Sequence, residues 1–445
     1  MTGDAMNEPA WVSFGGGAAR TGPMTWGQRK IRLELREHPE DEYLAFLTTE
    51  VPIERHVTMD EVTEALGGLI FRHESLRTRF PADRTQQVLG EGRLPVPAVE
   101  AQAGESAADA VGRLRRLLCR RRFDLAEDLP IRAAVVLRSG RPELLLVVLS
   151  HMAADGIGTF VVGAELAARL AGRSEGTAGE SQPLELAAAQ SSDRGNRRSV
   201  RALRHWEAFY RRTPAEMLVR AAPAGAPESY CEARLTSGRL AAALGAIARR
   251  TGTSRSTVLL AATASRLARH AGTSQCGLVS ICANRSDAGM SDCVGTLAQD
   301  AALIIDTGAD VLDELVRRTW SAALRGYAHS AVDPDAQREL RDRIGAERPA
   351  AFARDFVYSD MSWEPSAEDR GGDRADAETR VSVVDAEYMW VHGYLTAYRL
   401  EGVAELSLWT DERYLPRAEA LRFLTGIEEV LWAAAAPVAA GREER

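Results

Sequence analysis

Two rhythms of apolar residues run along this chain. In Met59–Phe71 (MDEVTEALGGLIF) the apolar positions recur three and four residues apart, which is one face of a helix, and Thr58 stands where a cap belongs. Ala107–Arg122 shows the same spacing, as do Gly156–Leu170, Arg197–Arg212, Ser254–Ala271, Val311–His329 and Arg417–Ala435. A second pattern, short runs rich in Val and Leu, predicts strands at Ile131–Leu137 and Glu143–Leu149. The intervening Ser139-Gly140-Arg141-Pro142 has turn composition, so this pair reads as a hairpin. Further strands are expected at Gly277–Cys282, Val381–Val384, Gly393–Arg399 and Ala404–Trp409.

At 445 residues the chain exceeds one ordinary core, and each half mixes helices with strands. This predicts an α/β (α+β) fold in two lobes, with no short internal repeat. Residues 1–21 are expected to be a flexible arm and 22–178 an N-terminal lobe. Residues 179–196, at the end of a stretch rich in Gly, Ser, Glu and Gln, read as a linker. Residues 197–445 form the C-terminal lobe, with a disordered loop expected at 364–379, where charge and glycine are dense.

Composition narrows the function classes. The net charge of −8 disfavours nucleic acid as a partner. Lys30 is the lone lysine, a sign of coding bias toward arginine. Arginines do cluster, and Arg113–Arg122 could receive an acidic protein, although a solvated face is the plainer reading. The five cysteines are odd in number and lack C-x-x-C spacing, which predicts free thiols in a reducing cytosol. With no signal-peptide pattern and no long apolar run, a cytoplasmic protein without a membrane partner is expected.

The strand Glu143–Leu149 runs into Ser150-His151-Met152-Ala153-Ala154-Asp155-Gly156. A histidine held at the end of a buried strand, with a pKa near working pH, suits a base that must be neutral before taking a proton. Gly156 lets a backbone N–H come close to a ligand. Alone, such a strand end is more often structural than catalytic.

Other motifs change the balance. Thr25-Trp26-Gly27-Gln28-Arg29, Arg72-His73-Glu74-Ser75-Leu76-Arg77-Thr78-Arg79-Phe80, Phe123-Asp124-Leu125 with Pro130 and Arg132, Cys282-Ala283-Asn284-Arg285, Val294-Gly295 and Ala328-His329 occur in that order. Together with SHMAADG they resemble the motifs of the condensation domains of nonribosomal peptide synthetases, members of the chloramphenicol-acetyltransferase-like acyltransferases. The resemblance runs from about residue 22 to 435. Two departures stand out. Ser150 replaces the first histidine of the family's His-His-x-x-x-Asp-Gly, and Thr296-Leu297-Ala298-Gln299 stands where Phe and Asn are usual.

The resemblance implies two chloramphenicol-acetyltransferase-like lobes in a V-shaped pseudodimer with a central tunnel. It implies a free-standing condensation enzyme of nonribosomal peptide or related natural-product biosynthesis. The donor would be an acyl or peptidyl carrier protein bearing a phosphopantetheine thioester, and the acceptor an amine, free or carrier-bound. An amide would form, with no bound cofactor and no metal. An ester-forming or CoA-dependent acyltransferase and a catalytically silent recruitment module are the rivals. His151 and Gly156 carry the catalytic expectation, with Asp155, Arg285 and Ser150 supporting the site. Arg72, His73, Arg77 and Gln299 are secondary candidates. Positioning alone can supply about 7–11 kcal/mol, and a general base about 10²–10⁴-fold. For an amine acceptor, positioning is therefore expected to outweigh base catalysis.

Overall fold

The computed structural model describes residues 8–435 apart from 103, 174–180, 215, 288, 310, 349–354, 363–374 and 377. The chain divides into two compact units. One comprises the residues up to Arg197 together with Ala283–Ala298, the other Arg198–Cys282 and the residues from Gln299 onward. In the first unit the elements are β1 (Ala10–Phe14), β2 (Arg20–Pro23), α1 (Trp26–Glu37), α2 (Glu42–Ala45), β3 (Phe46–Pro52), α3 (Met59–Arg72), β4 (Thr78–Ala82), β5 (Thr85–Val88), β6 (Gly92–Val96), β7 (Ala98–Glu100), α4 (Ala107–Cys119), β8 (Ile131–Arg138), β9 (Arg141–Ser150), α5 (Gly156–Leu170) and α6 (Pro183–Ser191). Helix α7 (Asp193–Arg212) leads on to β10 (Tyr230–Ser237), α8 (Gly238–Thr251), α9 (Arg255–His270), β11 (Gln275–Cys282), β12 (Gln299–Asp306), α10 (Leu312–Ala328), α11 (Pro334–Glu347), β13 (Phe356–Asp360), β14 (Arg380–Asp385), β15 (Gly393–Arg399), β16 (Ala404–Asp411) and α12 (Arg417–Ala435).

The first unit is built on a four-stranded sheet in the order β3-β9-β8-β7. Strand β9 is one of its two interior members, antiparallel to β3 and β8. Its side chains alternate between two cores. Leu145, Val147 and Leu149 pack with Leu66 and Leu69 of α3 and Val162 and Leu166 of α5. Leu144, Leu146 and Val148 pack with Val111 and Leu114 of α4. A strand covered on both faces has no polar face to show, which is why the sequence is apolar from Leu144 to Leu149. Ser139 and Gly140 both have positive φ, 53° and 76°, the geometry of a tight two-residue hairpin turn. Arg141 and Pro142, expected in the turn, already belong to β9, and a register shift at Leu137 accommodates them.

The second unit holds a seven-stranded sheet in the order β12-β11-β13-β15-β16-β10-β14. Its main core joins that sheet to α8, α9, α10 and α12. A smaller one joins Trp206 and Tyr210 of α7 and Leu340 and Ile344 of α11 to Val279 and Ala302.

Two expectations about connecting segments need correction. The described part of the arm is not loose: β1 pairs with β6, Val12 and Phe14 are buried, and Arg20 on β2 bonds Glu74 and Glu185. The short run WVSF was masked by the glycines that follow it. The expected linker at 179–196 contains α6, started by Pro183 and a Gln182–Glu185 capping box, with Ala187 buried. Most of the expected loop at 364–379 lies outside the described residues; Thr379, at its end, donates to Glu428.

Candidate active-site loop

Strand β9 ends at Ser150, whose N–H reaches the Pro130 carbonyl at 2.9 Å. The chain then turns tightly. The Ala153 and Ala154 amides donate back to the Ser150 carbonyl at 2.8 and 3.4 Å, and the Met152 amide donates to Ser150 Oγ at 3.3 Å. Ser150 is buried and serves the turn. His151, between the strand and the buried Met152, is half-buried. Its N–H points to the Ala45 carbonyl at 3.4 Å, and its carbonyl accepts from Thr296 Oγ1 at 2.6 Å.

Asp155 closes the loop and caps α5. Its carboxylate accepts the Gly158 amide at 2.9 Å, Nη2 and Nη1 of Arg285 at 2.8 and 2.9 Å, and the Leu297 and Ala298 amides at 3.0 and 2.9 Å. Its own N–H goes to the Gly295 carbonyl at 3.2 Å. Side-chain exposure is 3% for Asp155 and 7% for Arg285, so the pair is sealed from water. Burial alone would raise the Asp155 carboxyl. The Arg285 charge and its hydrogen bonds, with the Gly158 and Leu297 amides, outweigh burial and hold it below the usual carboxylate range. Arg285 also donates to the Ala283 and Cys293 carbonyls, at 3.2 and 3.0 Å. The segment 283–298 is thereby strapped to the histidine loop, and burial beside it pushes the Cys293 thiol up to about 12.

The TWGQR stretch meets the same strap. Thr25 caps α1, with Gln28 completing a capping box and donating to Gln86 at 3.1 Å. Thr25 Oγ1 donates to the Thr296 carbonyl at 3.3 Å. Gly27 lies so close to that peptide that a Cβ would collide with the Thr296 oxygen and come within 2.9 Å of its carbon.

The RHESLRTRF stretch does different work. His73 ends α3 and its Nε2 contacts Glu165 at 2.8 Å. Arg72 approaches Glu165 at 3.7 Å, and Arg169 bonds it at 2.8 Å. Glu165 lies nine residues beyond Gly156, about 13 Å down α5. Arg77 bonds the Leu89 carbonyl and faces Glu74 at 3.6 Å. These contacts tie α3 to α5 and the residue before β4 to the residue just after β5, away from the histidine loop. Gln299 belongs to the second unit, where its amide donates to the Val332 carbonyl at 2.7 Å. These contacts of Arg72, His73 and Arg77 thus serve packing within the first unit, and that of Gln299 serves the second. Within the arginine cluster of α4 and the residues after it, Arg113 bonds Glu105, Arg121 bonds Asp128, and Arg122 bonds the Asp41 carbonyl.

Thr296, Leu297 and Ala298 were missed as loop partners. Two act through backbone amides, which any residue supplies, so no side-chain signal marks them. In the second unit, His205 bonds the Ala302 carbonyl at 2.8 Å and stacks on His329, while His392 stacks on Tyr414. Among the described residues no group of three or more His, Cys, Asp or Glu could hold a metal ion, and no helix is long and apolar enough to cross a membrane.

A mixed α/β chain with a histidine at a strand end, locked by a carboxylate–guanidinium pair, has the features of the condensation fold. The Condensation domain model matches residues 24–389, and the chain belongs to that family. It is 31% identical over 327 residues to CymA of Salinispora arenicola, a probable non-canonical nonribosomal peptide synthetase; this covers 70% of the chain but 4% of CymA. Among solved structures, the condensation domain of the monacolin K polyketide synthase MokA superposes with a TM-score of 0.74 at 18% identity, covering 94% of this chain and 98% of that one. The X-domain complexed with OxyB from teicoplanin biosynthesis gives 0.70 at 21% identity, covering 97% and 96%.

Proposed function

We propose that this protein is a condensation enzyme of nonribosomal peptide or related biosynthesis. It transfers an acyl group from a carrier-bound phosphopantetheine thioester to an amine. The observation that carries this reading is the Asp155–Arg285 lock, which fixes a loop with a half-buried histidine at its head. His151 orients the amine and takes its proton as nitrogen attacks the thioester carbon. The tetrahedral oxyanion is met by the Gly156 N–H, in the first turn of α5, where amides lack intrahelical acceptors. As the intermediate collapses to the amide, the His151 imidazolium returns the proton to the departing sulfur, which leaves as the pantetheine thiol. Asp155 and Arg285 hold the loop and do no proton transfer, since a carboxylate kept below its usual range is a poor base. No bound cofactor enters this scheme, and the protein acts in the cytoplasm alongside its carrier partners.

Intact-protein mass spectrometry of acyl-loaded carrier proteins, mixed with the enzyme and candidate amines, tests it. We expect mass transfer from the carrier, and a loss of about 10²-fold or more in His151→Ala. Parallel mixtures with acyl-CoA or alcohols separate the CoA-dependent and ester-forming activities. Undiminished turnover in His151→Ala would remove the base role, and no product from any donor would leave recruitment as the function.

A further inference from the structure

We infer that Thr296 is a positioning residue for the His151 imidazole; this rests on the reading of His151 as the group that handles the nucleophile. Both backbone polar groups of His151 are held by other segments. The amide contact to Ala45 is long, at 3.4 Å, whereas the carbonyl contact to Thr296 Oγ1 is 2.6 Å. The hydroxyl is therefore the tighter tether. Thr296 is 1% exposed, so water does not compete for that bond.

The hydroxyl is itself aimed by a fixed strap. The Thr296 carbonyl accepts Thr25 Oγ1, and the next two amides bond Asp155 Oδ2. The preceding Gly295 carbonyl takes the Asp155 N–H at 3.2 Å. Peptide planes are rigid, so with the His151 N–H held on one side of Cα, holding its carbonyl on the other fixes ψ and with it the direction of the Cα–Cβ bond. Only χ1 and χ2 then remain to place the ring. Without the Thr296 donor, that carbonyl turns toward another partner and carries the imidazole with it. The capping threonine of α1 thus reaches the histidine loop in two steps, Thr25 to Thr296 and Thr296 to His151.

Thr296→Val keeps the shape and removes the donor, whereas Thr296→Ser keeps the donor. With isotopically labelled histidine the chain gives eight imidazole signals, one for each histidine. That of His151 is the one missing from His151→Ala. In Thr296→Val we expect the His151 signal to shift and broaden, and kcat with loaded carrier to fall about tenfold or more with KM within about twofold. Thr296→Ser should restore both. Thr263→Val is the control for losing a hydroxyl-to-carbonyl bond elsewhere, here Thr263 to Leu259 at 2.9 Å, and should move neither. An unchanged His151 signal in Thr296→Val overturns the inference, as does a Thr296→Ser variant as impaired as Thr296→Val. Full turnover in His151→Ala would instead overturn the reading of His151 as the group that handles the nucleophile, and the imidazole signal would still decide whether Thr296 positions that ring.

Discussion

Asp155 and Asp355 are both buried carboxylates, and their surroundings push them in opposite directions. Asp155 faces a guanidinium and stays charged. Asp355, ahead of β13, accepts the Met217 and Leu218 amides, while its carbonyl takes the Gly393 N–H at 2.8 Å. Burial pushes its carboxyl up to about 6, with those amides opposing and Glu216 adding to the rise. An unfolded aspartate titrates near 3.9. Asp355 therefore stabilises the fold fully below about pH 4, and that stabilisation is lost as pH rises through about 6, costing up to about 3 kcal/mol by pH 8. The stabilisation from Asp155 has the reverse sign: it is present above about pH 4 and disappears as acid titrates its depressed carboxyl. Asp355→Asn retains an acceptor for both amides and carries no charge. Denaturant unfolding from pH 4 to 8 should show the variant gaining on the parent between pH 4 and 6 and holding that lead above it. A constant difference across the range would refute this account of Asp355.

At the scale of single elements, the helix α1 start is decided by one missing atom. An exposed glycine-to-alanine change inside a helix usually gains about 0.5–1 kcal/mol. At Gly27 the added Cβ would strike the Thr296 peptide, and forced overpacking costs about 1–3 kcal/mol. Gly27→Ala should therefore lower the melting temperature. Gly112→Ala on α4, where the Cβ meets only the end of Arg116 at 3.5 Å, should raise it or leave it unchanged. The same contrast marks what the chain made legible. Met59–Phe71 announced α3 through its spacing and its Thr58 cap, and the helix extends one residue further, to Arg72. Leu144–Leu149 announced a buried strand, although its two separate cores could not be read from a run that is apolar throughout. RHESLRTRF was conspicuous as letters, yet its partner Glu165 lies on another helix with nothing in its neighbours to flag it. The strap is the hardest part to foresee, because Leu297 and Ala298 contribute amides that carry no residue-specific signature.

For the whole molecule, family membership and mixed α/β architecture follow from motifs spread over most of the chain, and the Condensation domain match bears both out. The division into units is less simple than one cut within the expected linker at 179–196. The first unit needs 283–298, encoded beyond much of the second. A fragment ending at Arg197 retains Asp155 but lacks Arg285 and the two amides. Stranding a buried charge costs about 3–5 kcal/mol, a large part of the 5–15 kcal/mol that holds an ordinary domain. We expect that fragment to show no cooperative thermal transition by circular dichroism. A fragment carrying 283–298 on a flexible connection should regain one, and a short fragment that melts cooperatively unaided would show the strap to be dispensable.

The strap also sets rules of inheritance. A recombination event that replaces the front of the gene up to Arg197 imports a new histidine loop and keeps the old strap. Asp155 then meets an arginine, two amides and a threonine selected beside a different loop. The compatible exchange carries two further breakpoints, at Ala283 and Ala298, so that the loop and its clasp move as one haplotype. In hybrids of this protein, co-inheritance of distant codons decides viability more than the neatness of any single junction.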